Sequence, residues 1–287
     1  MRKLKIITDS GCDLSLEIIE KLNIGYLGLV CNVNNQEIIE DCGQTLSYNT
    51  FYDLIQNGEF PVTGQITPFR FYNEFENYIK EGFDIIYIAF SSALSGTCNS
   101  SYIAKAELLE SYPDAKITII DSKTACSAQG LLVYQVAKLC AAGKNIDEVE
   151  QFISENHPKL NVFFYVKDLK HLEKGGRISP SAVKLGTMLN IKPLLTIDEA
   201  GSIQPVAKIR GEKKMFNEFV KMLEKHNLQT ENATIFVNHA DDLESAKKLT
   251  SIIKEKYPTV DIQVNYVGLA IGSHTGKGAL TMGFFAE

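Results

Sequence analysis

The sequence predicts an α/β protein of two domains. Its 287 residues are about twice the usual length of a single domain. Short runs of β-branched residues alternate with segments whose apolar residues recur at three- and four-residue spacing. Strand, polar turn and helix repeated in this order are typical of a parallel sheet covered by helices on both faces. We place the boundary in the polar stretch around Pro158, giving an N-terminal domain over 1–158 and a C-terminal domain over 159–287.

In the N-terminal domain, the predicted strands are β-branched runs that end in polar residues: 4–8, 84–90 and 116–121. The predicted helices, each with one apolar face, cover 15–22, 69–80, 95–109 and 128–142. Ligands of such sheets lie at the carboxyl ends of the strands. The polar clusters at 8–10, 91–92 and 121–122 fall at those ends.

The C-terminal domain is predicted to contain a mixed sheet. A strand over 162–166 is followed by two strands, 191–197 and 202–209, which flank a hairpin signal at 199–201. Helix, strand, helix and strand then follow at 212–225, 233–237, 243–255 and 262–267.

Composition excludes several classes of protein. A net charge of −6 and a pI near 5.5 argue against a nucleic-acid partner, which requires a basic face. No apolar run is long enough for a membrane span, and the first residues lack the pattern of a signal peptide, so we expect a cytoplasmic protein. The six cysteines form no C-x-x-C pair, and we expect them to be reduced and mostly buried, with no metal and no cofactor.

The polar segment 61–68 holds the first candidate residue. Thr67 followed by Pro68 predicts a helix N-cap with proline at the first helical position. Capping does not account for Thr63, which is either an ordinary loop residue or a ligand contact.

In segment 90–97 a strand ends, a turn follows and a helix is predicted to begin at about Ser95. The free N–H groups and partial positive charge of a helix start favour an anion. Capping explains one hydroxyl there, whereas Ser91, Ser92, Ser95 and Thr97 offer four.

Segment 271–278 is predicted to be a glycine-rich turn. It differs from a nucleotide-binding P-loop, because Gly272 and Gly276 enclose three residues instead of four and Gly278 follows the lysine where Ser or Thr is needed. His274 has no evident packing role in such a turn, and we interpret it as a ligand contact.

The segment Gly175-Gly176-Arg177 has the pattern of a helix C-terminus. Arg177 and the later Arg210 could equally be exposed anchors for the carboxylates of a partner protein.

Two enzyme classes compete with a binding protein. A hydrolase would use Ser95 as nucleophile and His274 as base, with Asp9 or Asp121 as the third member, although Ser95 lacks a G-x-S-x-G elbow. A sugar- or phosphate-binding enzyme would use the same helix start.

The segments at 61–68, 90–97, 172–179 and 271–278, together with Thr8-Asp9-Ser10, closely resemble the motifs of the DegV family in the same order. The resemblance implies two α/β domains that enclose a fatty acid, with the acyl chain inside the C-terminal domain. Matching the motifs implies that the fatty-acid carboxylate meets a set of six residues: Thr63, Gly64, Ser95, Gly96, His274 and Thr275.

The resemblance also implies a carrier and not an enzyme. A separate fatty acid kinase, of the dihydroxyacetone-kinase-like type, would convert the bound acid to an acyl phosphate, and contact with a membrane would be transient. Arg177 and Arg210 match the positions through which carriers of this family meet the kinase, so we expect both to serve the kinase and not the lipid.

The sequence departs from the family pattern near the predicted site. Gly64 and Thr67 stand where the family often has serine, so the carboxylate has one hydroxyl fewer at position 64. Lys277 replaces a frequent proline in the last motif, and we expect it to add a cation near the mouth of the site.

Overall fold

The computed structural model describes residues 3–178, 192–228 and 233–287. Its strands form a four-stranded sheet, a six-stranded sheet and a small three-stranded sheet. The predicted α/β class is confirmed, with a parallel sheet in the first half of the chain and a mixed sheet in the second. The two-domain boundary at 158 stays a prediction.

The described part of the first half contains the strands β1 (Lys3–Asp9), β2 (Gly25–Leu27), β3 (Val30–Val33), β4 (Gln36–Ile39), β5 (Val62–Gly64), β6 (Phe83–Ala89) and β7 (Ile117–Asp121). Its helices are α1 (Leu16–Lys21), α2 (Tyr48–Gln56), α3 (Pro68–Lys80), α4 (Thr97–Ser111), α5 (Cys126–Ala141) and α6 (Ile146–Asn156).

The second half contains strands β8 (Leu160–Tyr165), β9 (Lys192–Ile197), β10 (Ile203–Ile209), β11 (Thr234–His239), β12 (Asp261–Tyr266) and β13 (Leu280–Phe285). Its helices are α7 (Lys170–Lys174), α8 (Glu212–Lys225), α9 (Leu243–Lys256) and α10 (Leu269–Thr275).

The four-stranded sheet, in the order β2-β1-β6-β7, is parallel and covered on both faces, as predicted. Successive side chains of a strand point to opposite faces. On β6, Ile85 and Tyr87 therefore pack with α3 and α4. Ile86 and Ile88 pack with α5. The N-cap of α3 is also as predicted, because the Thr67 hydroxyl accepts the N–H of Arg70 and Pro68 follows.

The six-stranded sheet has the order β10-β9-β8-β13-β11-β12. Among its described strands, only β11 and β12 pair in parallel, and the predicted hairpin of β9 and β10 is confirmed. Helices α8 and α9 pack on one face. Helix α5 lies against the other, where a Cβ on Gly283 would stand 2.6 Å from the backbone nitrogen of Ala128. One helix is thus shared by both large sheets.

Two sequence predictions about local structure are wrong. Thr63 lies on strand β5 and not in a loop, because β3 pairs with β5 and places Cys31 opposite Thr63. His274 lies in helix α10 and not in a turn. Gly272 suits this helix because a Cβ there would come within 2.4 Å of the Tyr52 hydroxyl.

The six cysteines form no disulfide and four of them are buried, as predicted. None of the helices in the described ranges combines the length and apolar character that crossing a bilayer requires.

Candidate ligand-binding site

A cavity of about 210 Å³ is lined by residues from both halves of the chain. Most of its wall is apolar and buried, and includes Phe90, Leu94, Val162, Phe164, Leu172 and Ile203. Its polar wall is less buried: Thr63, Ser95, Arg177 and His274 are half-buried, and Gln65 is exposed. The cavity therefore has a polar mouth near the surface and an apolar interior.

Thr63 and His274 meet at this mouth. Strand β5 brings the Thr63 Oγ1 and helix α10 brings the His274 Nε2, and the two atoms are 2.8 Å apart. They come from positions 211 residues apart in sequence. The structure thus joins two of the predicted carboxylate-binding residues in a direct hydrogen bond.

Ser95 lies just ahead of α4, which begins two residues later than predicted. Its hydroxyl oxygen lies 2.9 Å from the Thr97 Oγ1 and accepts the Thr97 N–H at 3.3 Å. The two neighbouring serines have other partners: Ser91 donates to the Gly201 carbonyl, and Ser92 donates to Asp121. Of the three serines, only Ser95 lines the cavity.

The predicted glycines also line the cavity, whereas Thr275 does not. A Cβ on Gly96 would lie 2.0 Å from the Gln65 Oε1, so the Gln65 amide covers this glycine closely. Thr275 donates its hydroxyl to the carbonyl of Ile271, within its own helix. Thr275 therefore supports α10 and does not present a group to the cavity.

Arg177 lies in the cavity wall, and Arg210 is exposed. The guanidinium of Arg177 donates through Nε to the Leu94 carbonyl at 3.2 Å and through Nη1 to the Gly175 carbonyl at 2.5 Å. These contacts fix it between the residue before Ser95 and the turn after α7. Among the described residues, no carboxylate forms an ion pair with Arg177.

His274 is held in its neutral form. Burial, the positive charge of Arg177 and the neighbouring His171 together lower the pKa of His274 to about 4. A Cβ on Gly175 would stand 2.2 Å from the His274 Nδ1, which has no hydrogen-bond partner among the described residues. A neutral imidazole can donate one hydrogen bond and accept another.

No catalytic triad forms among the described residues. Ser95 is bonded to Thr97 and not to His274. Asp9 accepts from the Tyr87 hydroxyl and the Phe90 N–H. Asp121 accepts from Ser92. Since neither carboxylate orients the imidazole, the geometry that activates a serine nucleophile is missing there.

Gln65 is a further residue of the mouth that was not predicted from the sequence. Its side-chain amide donates to the Ser100 Oγ at 3.0 Å. A signal was present, because residues two apart on an extended chain share a face and Gln65 follows Thr63 by two. Because Thr63 was predicted to lie in a loop, the shared face of Thr63 and Gln65 was not recognised.

The sheets, the shared helix and the half-buried polar mouth define an α/β protein with two large sheets that encloses an apolar cavity. Residues 3–287 match the family model described as "Uncharacterised protein, DegV family". A DegV domain-containing protein of Clostridium perfringens is 46% identical over 287 residues, covering 100% of this chain and 99% of that protein. The chain therefore belongs to the DegV family.

Solved structures give the same fold. A DegV family protein from Thermus thermophilus, described by its fatty acid binding, has a TM-score of 0.90 and 25% identity, with 100% of both chains covered. DegV of Bacillus subtilis, described as a fatty acid binding protein, has a TM-score of 0.85 and 27% identity, again with 100% of both chains covered.

The low pKa of His274 can be measured in the ligand-free protein. Because the folded-state pKa lies below the ordinary value, the ring should stay neutral from pH 8 to about 5.5 and gain its proton only near pH 4. Histidine ring resonances followed by NMR would show this. Arg177→Gln should move the midpoint upward, because it removes a positive charge beside the ring. A wild-type midpoint above pH 6 would show that burial and Arg177 do not lower the pKa of His274.

Proposed function

We propose that this protein carries a long-chain fatty acid, with the acyl chain in the apolar cavity and the carboxylate at its mouth. The observation that supports this most directly is the division of one cavity into a buried apolar wall and a half-buried polar end. An amphiphile with a single polar head matches that division. A sugar or a nucleotide would leave polar groups unpaired against Phe164 and Leu172.

The energetics favour such a ligand. Burying fourteen methylenes at ~0.8 kcal/mol each gives roughly 11 kcal/mol before the cost of ordering the chain. The carboxylate also needs hydrogen-bond donors, because a buried charge without partners is costly. Thr63, Ser95 and His274 supply neutral polar groups at the mouth.

Arg177 supplies a positive charge close to the same position. Its guanidinium contacts the residue before Ser95 and the glycine packed on His274, and no described carboxylate neutralises it. A ligand carboxylate at the mouth would provide the missing negative charge. We therefore assign Arg177 to the head group as well as to the kinase contact implied by the resemblance.

Two of the departures from the family pattern, at Gly64 and Lys277, differ in their effect on the cavity. Gly64 lines the cavity without a hydroxyl, so the head group depends more on Thr63 and Ser95. Lys277 does not line the cavity. Its ammonium pairs with Asp241 at 2.8 Å and Asp53 at 3.1 Å, so its charge is already neutralised.

The carrier would present its ligand to a separate kinase in the cytoplasm. That enzyme would transfer a phosphoryl group from ATP to a carboxylate oxygen, forming an acyl phosphate at the open mouth. The carrier itself would perform no catalysis and would contact a membrane only transiently. Arg210 is the exposed cation that we assign to the kinase interface.

The purified protein should contain a fatty acid at close to one molecule per chain. Native mass spectrometry would detect a retained mass of a few hundred daltons, and gas chromatography of the extract would identify the acid. Protein that is free of lipid as purified, and that also fails to take up added oleate or palmitate, would rule out the proposed function.

Ser95→Ala and His274→Ala should each weaken fatty-acid binding by roughly tenfold to a hundredfold. The reason is that a hydrogen bond to a charged group contributes ~1.5–3 kcal/mol. Titration of delipidated protein with a fluorescent fatty acid measures the change. Ser92→Ala is the matched control, because Ser92 is exposed and bonds Asp121 outside the cavity. Unchanged affinity in both site variants would remove these residues from the site.

Arg210→Ala should leave the fatty-acid content unchanged and lower acyl-phosphate formation with a cognate kinase. The exposed side chain makes no contribution to the cavity wall, so its loss acts on the partner alone. Lipid content and product formation measured on the same preparation separate the two effects. A fall in lipid content would show that Arg210 serves the ligand instead.

A further inference from the structure

The first residues of helix α10, which carries His274, donate backbone hydrogen bonds to two buried carboxylates from the first half of the chain. Glu40 accepts the N–H of Leu269 through Oε1 at 2.5 Å and the N–H of Ala270 through Oε2 at 3.1 Å. Asp13 accepts the N–H of Gly268 through Oδ1 at 2.9 Å. Three successive backbone donors at the start of α10 are thereby satisfied by acidic side chains from distant residues, because the N-cap residue itself, Gly268, has no side chain to cap the helix.

The fit at this contact leaves no room for a side chain at position 268. A Cβ on Gly268 would stand 2.0 Å from the Glu40 Oε1 and 2.8 Å from the Asp13 Oδ1. The backbone before α10 is also fixed, because the Tyr52 hydroxyl donates to the Val267 carbonyl at 2.7 Å. The position of α10 is therefore set by groups from the other half of the chain.

No lysine, arginine or histidine within the described ranges forms an ion pair with Glu40 or Asp13. The titratable and polar groups that face Glu40 from the surrounding elements are acidic or neutral: Ser10, Asp13, Tyr26, Cys31, Asp41, Cys42, Tyr48 and Tyr52. Burial raises the pKa of Glu40 to about 7, although the backbone N–H groups oppose the shift. Burial and the nearby Glu40 raise the pKa of Asp13 well above its ordinary value.

The same short helix forms part of the cavity. Ala270, Ile271 and His274 all line it, and the His274 Nε2 reaches Thr63 near the end of the helix. Since α10 spans seven residues, a shift of its first turn moves its last turn as well. A displacement of about 1 Å is enough to disrupt a hydrogen-bonded site.

We propose that Glu40 is a positioning residue for the head-group site: its carboxylate fixes the start of α10 so that His274 meets Thr63 and the ligand. This proposal rests on the proposed function. The ionised carboxylate accepts both N–H groups with charge-assisted bonds, whereas the neutral acid accepts them weakly and places an O–H against one of them. The head group should therefore bind with higher affinity at a pH where Glu40 is ionised than at a pH where it is protonated.

Three variants and one matched control test the assignment. Glu40→Gln keeps the shape and removes the charge, whereas Glu40→Asp keeps the charge on a shorter side chain. Gly268→Ala alters no titratable group and pushes a methyl group between the carboxylates and the helix. Glu37→Gln is the control for loss of one negative charge, because Glu37 is exposed and lies on strand β4, which ends one residue before Glu40.

Palmitate affinity is measured from pH 6 to 8.5, below the aggregation concentration of the acid. In the wild type and in Glu37→Gln, affinity should fall by about tenfold as the pH falls through 7, because charge-assisted bonds are roughly twice as strong as neutral ones. Glu40→Gln should bind about tenfold more weakly at pH 8.5 and show no step. Glu40→Asp should keep the step, and Gly268→Ala should bind weakly throughout. His274 and His171 do not account for a step near pH 7, because burial lowers the pKa of both rings.

Hydrogen exchange of the amides at 268–275 provides a readout that needs no ligand. Wild-type protection, corrected for the intrinsic rate, should decrease as the pH falls through 7, and Glu40→Gln should lack that change. Equal affinity and equal protection in wild type and Glu40→Gln at every pH would overturn the assignment of Glu40 while leaving the carrier function intact. Absence of palmitate binding in the wild type would instead reject the carrier function, and the exchange data would still decide the role of Glu40.

Discussion

Helix α5 is the element on which the relation between the two large sheets depends. Leu132 and Val136 lie in one apolar cluster with Ile86 of the parallel sheet and Phe236 of the mixed sheet. At the start of the helix, the backbone contacts Gly283 so closely that only hydrogen fits at its Cα. Because a close-packed interior resists displacement, this helix fixes the position of one sheet relative to the other. The cavity wall, which draws on both halves, requires that fixed relation.

The polar residues at the carboxyl ends of the parallel strands have two different roles, one structural and one at the cavity. Asp9 is fully buried and accepts from Tyr87, Phe90, Gly11 and the Gln129 amide. Burial raises the pKa of Asp9, and these hydrogen bonds act in the opposite direction. All of the Asp9 partners are buried protein groups, so Asp9 stabilises the strand ends and does not line the cavity. Ser95 is the polar residue of this region that does. Position at a strand end marks where a ligand can bind, but the partners of each side chain decide which residues bind it.

Much of the fold could be predicted from the sequence, because its long elements carry strong periodic signals. Strand β6 and helices α3 and α8 were predicted to within a residue or two at each end. The short strands β2 to β5 were missed, since three or four residues carry almost no periodicity. Helix α10 was predicted to be a turn because Gly272, Gly276 and Gly278 lie within seven residues. Gly272 is there for close contact with Tyr52, a long-range cause that local sequence does not contain.

The site was predictable to a similar extent. Motif matching placed Thr63, Ser95 and His274 together, and the structure brings all three to one cavity mouth. It also placed Thr275 there, although the Thr275 hydroxyl bonds within its own helix. The inward position of Arg177 could not be predicted from the glycine pattern around it, because it depends on the Leu94 carbonyl, 83 residues away.

The electrostatics of the mouth make it suited to a single negative charge. In the free protein, Arg177 disfavours protonation of His274, so the two residues do not both carry charge near neutral pH. An anion bound between them would interact favourably with the guanidinium and would reduce its effect on the imidazole. The His274 pKa should then rise in the complex, and His274 would become a better hydrogen-bond donor to the ligand. A neutral ligand with the same acyl chain would gain the apolar contacts but not this coupling. Under the proposed function, the mouth would therefore select for charge and the interior for length and shape.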